Sequence, residues 1–151
     1  MNKFGLTKSG FSMLEVLIVI AIAAVVFAFA MPYGLRFYRG QLVEETRANI
    51  TDALRRARQS AVLQKDDSNF GVNFASSTGN YVLYEGANYS TRVTALDEIY
   101  PLVSGLVLGG IGDVNFAKKT GSPSATGTIS VTFDVMTKNI TITDFGASNN
   151  E

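Results

Sequence analysis

Between Phe11 and Met31 the chain carries one charged side chain, Glu15, and one other polar one, Ser12. A carboxylate near the centre of a bilayer costs a few kcal/mol on insertion scales. An acid kept in such a run has either a cationic partner or a place at the headgroup level, and the residues alone leave both readings open. The remaining inventory for chemistry is thin. The chain has no histidine and no cysteine, which removes histidine general bases, two-histidine zinc sites, thiolate metal sites and any disulfide framework. A hydrolase built from Asp and Glu alone is still open, but no catalysis and no cofactor are expected. The glycines of "LGGIGD" lack both the spacing of a dinucleotide loop and a following helix. "DDSN" at Asp66 to Asn69 reads as a turn, without the alternating ligands and closing Glu of an EF-hand. No metal site is expected. Arg55, Arg56 and Arg58 either contact nucleic acid or form a solvated helix face.

These residues sit in elements that the patterning sets out. Residues 1–10 are short and polar, with Lys3, Lys8 and a terminal Gly10. Residues 11–31 are apolar on every face and span roughly 31 Å as a helix, which matches the hydrocarbon thickness of a bilayer. Residues 32–65 read as an amphipathic helix, with Leu42, Thr46, Ile50, Leu54, Ala57 and Ala61 on one stripe. Pro32 lacks an N–H and is expected to kink or open the helix at the junction. Residues 66–151 form a β-rich head. "FGVNFA", "YVLYEG", "STRVTAL", "DVNFAK", "TISVTFDV" and "NITITDF" are short strand candidates between Gly, Asn and Ser clusters. Ile129, Val131, Phe133 and Val135 alternate with polar residues, and Ile140 and Ile142 resume the pattern beyond a turn at "MTKN". "LVSGLVLGGIGD" reads as a loop containing a strand. The expected class is α+β: a long N-terminal helix whose second half packs on an antiparallel β-sheet head.

Charge divides along the same boundaries. Residues 33–65 carry seven basic side chains against three acidic ones, a net +4. Residues 66–151 carry four against nine, a net −5. An acidic head opposes phosphate neutralisation, so nucleic acid is not an expected partner.

The stretch "GFSMLEVLIVIAIAAVV" resembles the N-terminal signal of type IV pilins and type II secretion pseudopilins. Gly10, Phe11 and Glu15 match that family's leader glycine, first mature phenylalanine and spaced acid, and Pro32 falls where many members have a proline. The resemblance covers about a third of the chain, counting the stalk. It implies cleavage between Gly10 and Phe11 by prepilin peptidase and N-methylation of the new Phe11 amine. It implies assembly with other pilin or pseudopilin subunits on an inner-membrane platform, with Glu15 pairing with a neighbour's Phe11 amine. It also places the chain as a single-pass protein of the cytoplasmic membrane, held in the lipid bilayer with the head on the extracytoplasmic side. "LRRARQSAVLQ" before a cysteine-free, strand-rich head is similar to GspH/FimT-type minor pseudopilins. Two other readings remain: a DNA-binding minor pilin of an uptake apparatus, and a secreted β-domain released by a conventional signal peptidase after the "AFA" at Ala28 to Ala30.

Overall fold

In this computed structural model the described residues are 10–75 and 79–148, with the side chains of Met31, Pro32, Ala147 and Ser148 outside them. The leader before Gly10 therefore lies outside the described residues. The chain divides into two compact units, one ending at Tyr38 and one running from Arg39 onward.

One helix, α1 (Met13–Val62), takes up the apolar run and the stalk. Its assignment covers position 32, and the side chain of Pro32 lies outside the described residues. In the first unit the helix buries almost nothing, since no residue of its most apolar eighteen-residue window is enclosed. In the second unit the same helix becomes a core element. Val43, Ile50, Ala53, Leu54, Ala57 and Ala61 are all buried, together with Thr46 and Thr51. Leu42, read from sequence as part of the stripe, is only half-buried, and Val43 beside it is enclosed instead.

Among the described residues the head has eight strands: β1 (Phe70–Asn73), β2 (Asn80–Glu85), β3 (Glu98–Pro101), β4 (Leu106–Gly110), β5 (Asp113–Phe116), β6 (Gly127–Phe133), β7 (Met136–Thr143) and β8 (Gly146–Ser148). They form two four-stranded sheets, in the orders β3-β2-β1-β5 and β4-β6-β7-β8. Every pairing is antiparallel. The chain passes from the second sheet to the first at Ile111–Gly112, where Ile111 N–H donates to Thr128 O and Phe74 N–H donates to Gly112 O. Phe70, Val72, Val114 and Phe116 of the first sheet join Leu106, Ile129, Val131, Ile140 and Ile142 of the second in one apolar cluster with the α1 residues. The α+β expectation holds, and the helix contributes buried residues to the core.

Three local readings are corrected. "STRVTAL" is not a strand: it forms two short 3-10 turns, Tyr89–Thr91 and Thr94–Leu96. The Asn88 side chain accepts from both the N–H and the hydroxyl of Thr91, at 3.0 Å each, and that local cap outcompetes the β-branched composition. The hairpin turn lies at Asp134–Val135 rather than at "MTKN", because Phe133 pairs with Met136 and the strand runs on through Lys138 and Asn139. Asp134 takes the left-handed conformation (φ 57°) that a tight turn requires and that Asp tolerates better than most residues. Val135, expected on the buried face, therefore stands at the turn and is 88% exposed. "LVSGLVLGGIGD" contributes β4 and leads into β5, while β3 and β8 are strands the patterning did not mark.

Candidate functional site

At the N-terminal end of the described chain, Gly10 and Phe11 are non-helical and exposed, Phe11 at 80%. The helix begins two residues later. Ser12 is its cap: the Glu15 N–H donates to Ser12 Oγ at 3.2 Å, and the Glu15 and Val16 N–H groups donate to Ser12 O at 3.0 and 3.2 Å. Ser12 and Glu15 have the S-x-x-E spacing of a capping box, a local signal in the sequence that patterning of charge alone does not show. Glu15 lies in the first turn, where a negative charge interacts favourably with the helix dipole. The peptide bond between Gly10 and Phe11 is thus outside the helix and open to solvent. A protease could take it without unwinding a hydrogen-bonded turn. The structure brings Gly10, Phe11 and Glu15 together within one short exposed stretch, with Ser12 as the residue that sets where the helix starts.

Residues 6–31 match the family model of the prokaryotic N-terminal methylation motif. The match contains Gly10, Phe11, Ser12 and Glu15, and it supports the resemblance to type IV pilins and pseudopilins. The motif continues into α1, which among the described residues is the helix long and apolar enough to cross a membrane. No curated protein and no solved structure matches the chain.

The other sequence candidates are otherwise engaged. Arg58 donates through Nε to Gly121 O at 3.2 Å and through Nη1 to Phe145 O, tying two turns to the helix. Arg55 lies 3.7 Å from Asp52, and Arg56 lies 3.9 Å from Glu98 and over the Tyr100 ring. The three arginines thus have different partners, and Arg55 and Arg58 line one pocket with Gln59, Val62 and Leu63. In "DDSN", Lys118 Nζ donates to Asp67 Oδ1 at 3.0 Å, so that carboxylate is already paired with a cation. Among the described residues no group of three or more His, Cys, Asp or Glu gathers as a metal site would need.

One polar cluster escaped the sequence reading. On the first sheet, Tyr84 donates its hydroxyl to Asp113 Oδ2 at 3.0 Å and accepts from Asn115 Nδ2 at 3.2 Å. Asn73 Nδ2 donates to Asp113 Oδ1 at 3.1 Å, and Asn115 Nδ2 also reaches Gly86 O at 2.9 Å. Gly71 leaves room for this: a Cβ there would come within 2.5 Å of the Tyr84 ring. The segment after β2 closes over the cluster. Tyr89 stands edge-on to Tyr84, Arg92 stacks on Tyr89 at 3.8 Å, and Asp97 holds Arg92 at 2.8 Å. The period-two placement of Gly71, Asn73, Tyr84, Asp113 and Asn115 was visible in the sequence, but which strands adjoin was not. Both carboxylate oxygens of Asp113 are occupied by donors, so the cluster pins three strands and offers no free base.

Burial raises the Asp113 pKa above the usual carboxylate value, against the lowering effect of its hydrogen bonds from Asn73 and Tyr84. A folded-state pKa above the unfolded one means that the folded chain binds the proton more tightly. Stability therefore falls as pH rises through that window, and the cost is fully present at neutral pH. Asp113→Asn removes this titration. The expected result is a variant-minus-wild-type stability difference that is constant near neutrality and shifts in favour of wild type as pH drops through the carboxylate range. Denaturant midpoints across pH measure it, and a pH-independent difference would contradict the assignment.

Proposed function

We propose that this chain is a structural, non-catalytic pilin-like subunit. Prepilin peptidase cuts it between Gly10 and Phe11, the Phe11 amine is methylated, and the subunit is held in the cytoplasmic membrane by the first part of α1. The head lies on the extracytoplasmic side, and subunits join a pilus or pseudopilus through their apolar helices. One observation carries this reading: the methylation motif of residues 6–31 coincides with an exposed, non-helical Gly10–Phe11 bond directly before a Ser12-capped apolar helix. The GspH/FimT-type minor pseudopilin is its finer form, supported by the cysteine-free head built from two antiparallel sheets on the stalk.

Glu15 has a physical task in this setting. A processed Phe11 carries a cationic amine near the positive end of a helix dipole, which is unfavourable. A carboxylate from a neighbouring subunit offsets that charge in a low-dielectric core.

Cleavage gives the direct test. The mature protein from membranes is expected to begin at Phe11 and to carry one added methyl group, read by intact mass and N-terminal sequencing. A mature start at Met31 would establish secretory processing after Ala30 and reject the pilin reading.

A further inference from the structure

The end of the stalk holds a cavity of about 380 Å3 lined by Arg55, Arg58, Gln59, Val62 and Leu63. It lies wholly in the unit that runs from Arg39 onward. Its walls combine two guanidinium groups with apolar surface, and Leu63 is 71% exposed. Arg58 is held in place by carbonyls: its Nε donates to Gly121 O and its Nη1 to Phe145 O. It forms no ion pair with a carboxylate among the described residues. The negative end of the helix dipole offsets only about half a charge. Arg55 has Asp52 at 3.7 Å, but both side chains are well exposed, and such a pair contributes at most about 1 kcal/mol. The pocket therefore keeps positive charge beside apolar surface.

Next to it stands a projection of the opposite character. A tight turn, Asp144–Phe145, joins β7 to β8, since Thr143 pairs with Gly146. The Phe145 ring is left in solvent at 86% exposure. Asp144 is exposed as well and forms no ion pair among the described residues. The Phe145 carbonyl is one of the two that Arg58 holds, so the turn is fastened beside the pocket. Phe145 is nevertheless not among the residues that line it. An aromatic ring with an adjacent carboxylate thus neighbours a cationic, apolar hole that it does not fill within its own chain.

We propose that this patch binds a second copy of the chain: the Phe145 ring of one copy enters the pocket of another, where Asp144 pairs with Arg55. Knob and hole are present on every copy, so the surface is complementary to itself and needs no other protein. Aromatic and Arg side chains are the types that anchor such contacts. Seating the ring against Val62 and Leu63 removes exposed apolar surface from both copies. The contact uses only the head and the end of the stalk, so it stands whether or not the subunit enters a filament.

Sedimentation of the full chain in a nonionic detergent, over a range of concentrations, tests it. Wild type is expected to self-associate. Asp144→Arg and Arg55→Glu should each weaken association by about tenfold, because each sets like charges opposite one another. Mixing the two variants one to one should restore the wild-type level, since every mixed contact then joins opposite charges. Both positions are exposed, and neither Asp144 nor Phe145 takes a left-handed backbone, so folding is not at stake. Phe145→Ser should weaken association too, with its denaturation midpoint unchanged. Charge variants that associate like wild type would show that other surfaces hold the copies together, and would overturn the contact. A mixture as weak as its components would show that residues 55 and 144 do not meet. A wild type that stays monomeric overturns the proposal outright. Should that monomer take up decanoate, and Arg55→Glu abolish the uptake, the pocket belongs to a small amphipathic carboxylate instead.

Discussion

Glu15→Gln is expected to yield a processed, membrane-held protein that fails to enter filaments. The substitution keeps the length and hydrogen-bonding capacity of the side chain and deletes only the charge. Insertion should survive, since loss of a carboxylate removes an insertion penalty. Cleavage should survive as well, because the Gly10–Phe11 bond and the Ser12 cap are untouched. The head should stay folded, since its core draws on α1 only from Val43 onward. What is lost is the partner of a buried amine on the next subunit. Breaking a buried ion pair from one side costs about 3–5 kcal/mol, enough to reduce incorporation by orders of magnitude. Filament fractionation with crosslinking reads the result, and Glu15→Ala should behave in the same way. A glutamine variant that assembles as well as wild type would show that Glu15 acts through the helix cap or the headgroup layer, and that charge pairing is not its role.

Leu54→Ala is expected to produce a large loss of head stability. Leu54 is fully enclosed within the cluster that joins α1 to both sheets. Truncating a buried Leu costs about 2–5 kcal/mol, through lost transfer energy and the cavity left behind. Of the core positions along the helix, Ala53, Ala57 and Ala61 have side chains too short to lean in and fill the space, and Ile50 is itself fully buried. Set against a total of roughly 5–15 kcal/mol, this should lower the denaturation midpoint markedly. Urea unfolding in detergent measures it. Arg55→Ala, one residue away and exposed, should change stability by less than about 0.5 kcal/mol. Equal effects from the two would mean that the helix does not occupy the core as described.

The N-terminal site was legible because its information is local. A glycine, a phenylalanine, an acid and a span in fixed order need no knowledge of the fold, and the three-residue spacing of Ser12 to Glu15 is equally local. The stalk stripe was legible for a related reason: a helix displays its period whatever it packs against. In the head, alternation located Ile129 and Val131 correctly, both fully buried, but could not say where it stops. Val135 continues the pattern in sequence and leaves it in space, because Asp134 turns the chain first. At "STRVTAL" a single side-chain cap from Asn88 reversed what composition favoured. The Tyr84–Asp113 cluster lies beyond sequence patterning for another reason. Its members are drawn from β1, β2 and β5, and only the order of strands in the sheet makes them neighbours.

The place of α1 in the core has a consequence for the order of events during synthesis. Chains emerge N-terminal first, at about 5–20 residues per second. The segment from Val43 to Ala61 is made before any strand of the head. The later strands therefore arrive at a template already waiting for them, and each hairpin can bury its apolar face on arrival. The same arrangement means that a head cut loose from its helix would lose the apolar surface its strands pack against. Trimming the N-terminus to gain solubility has a limit, and Val43 marks it.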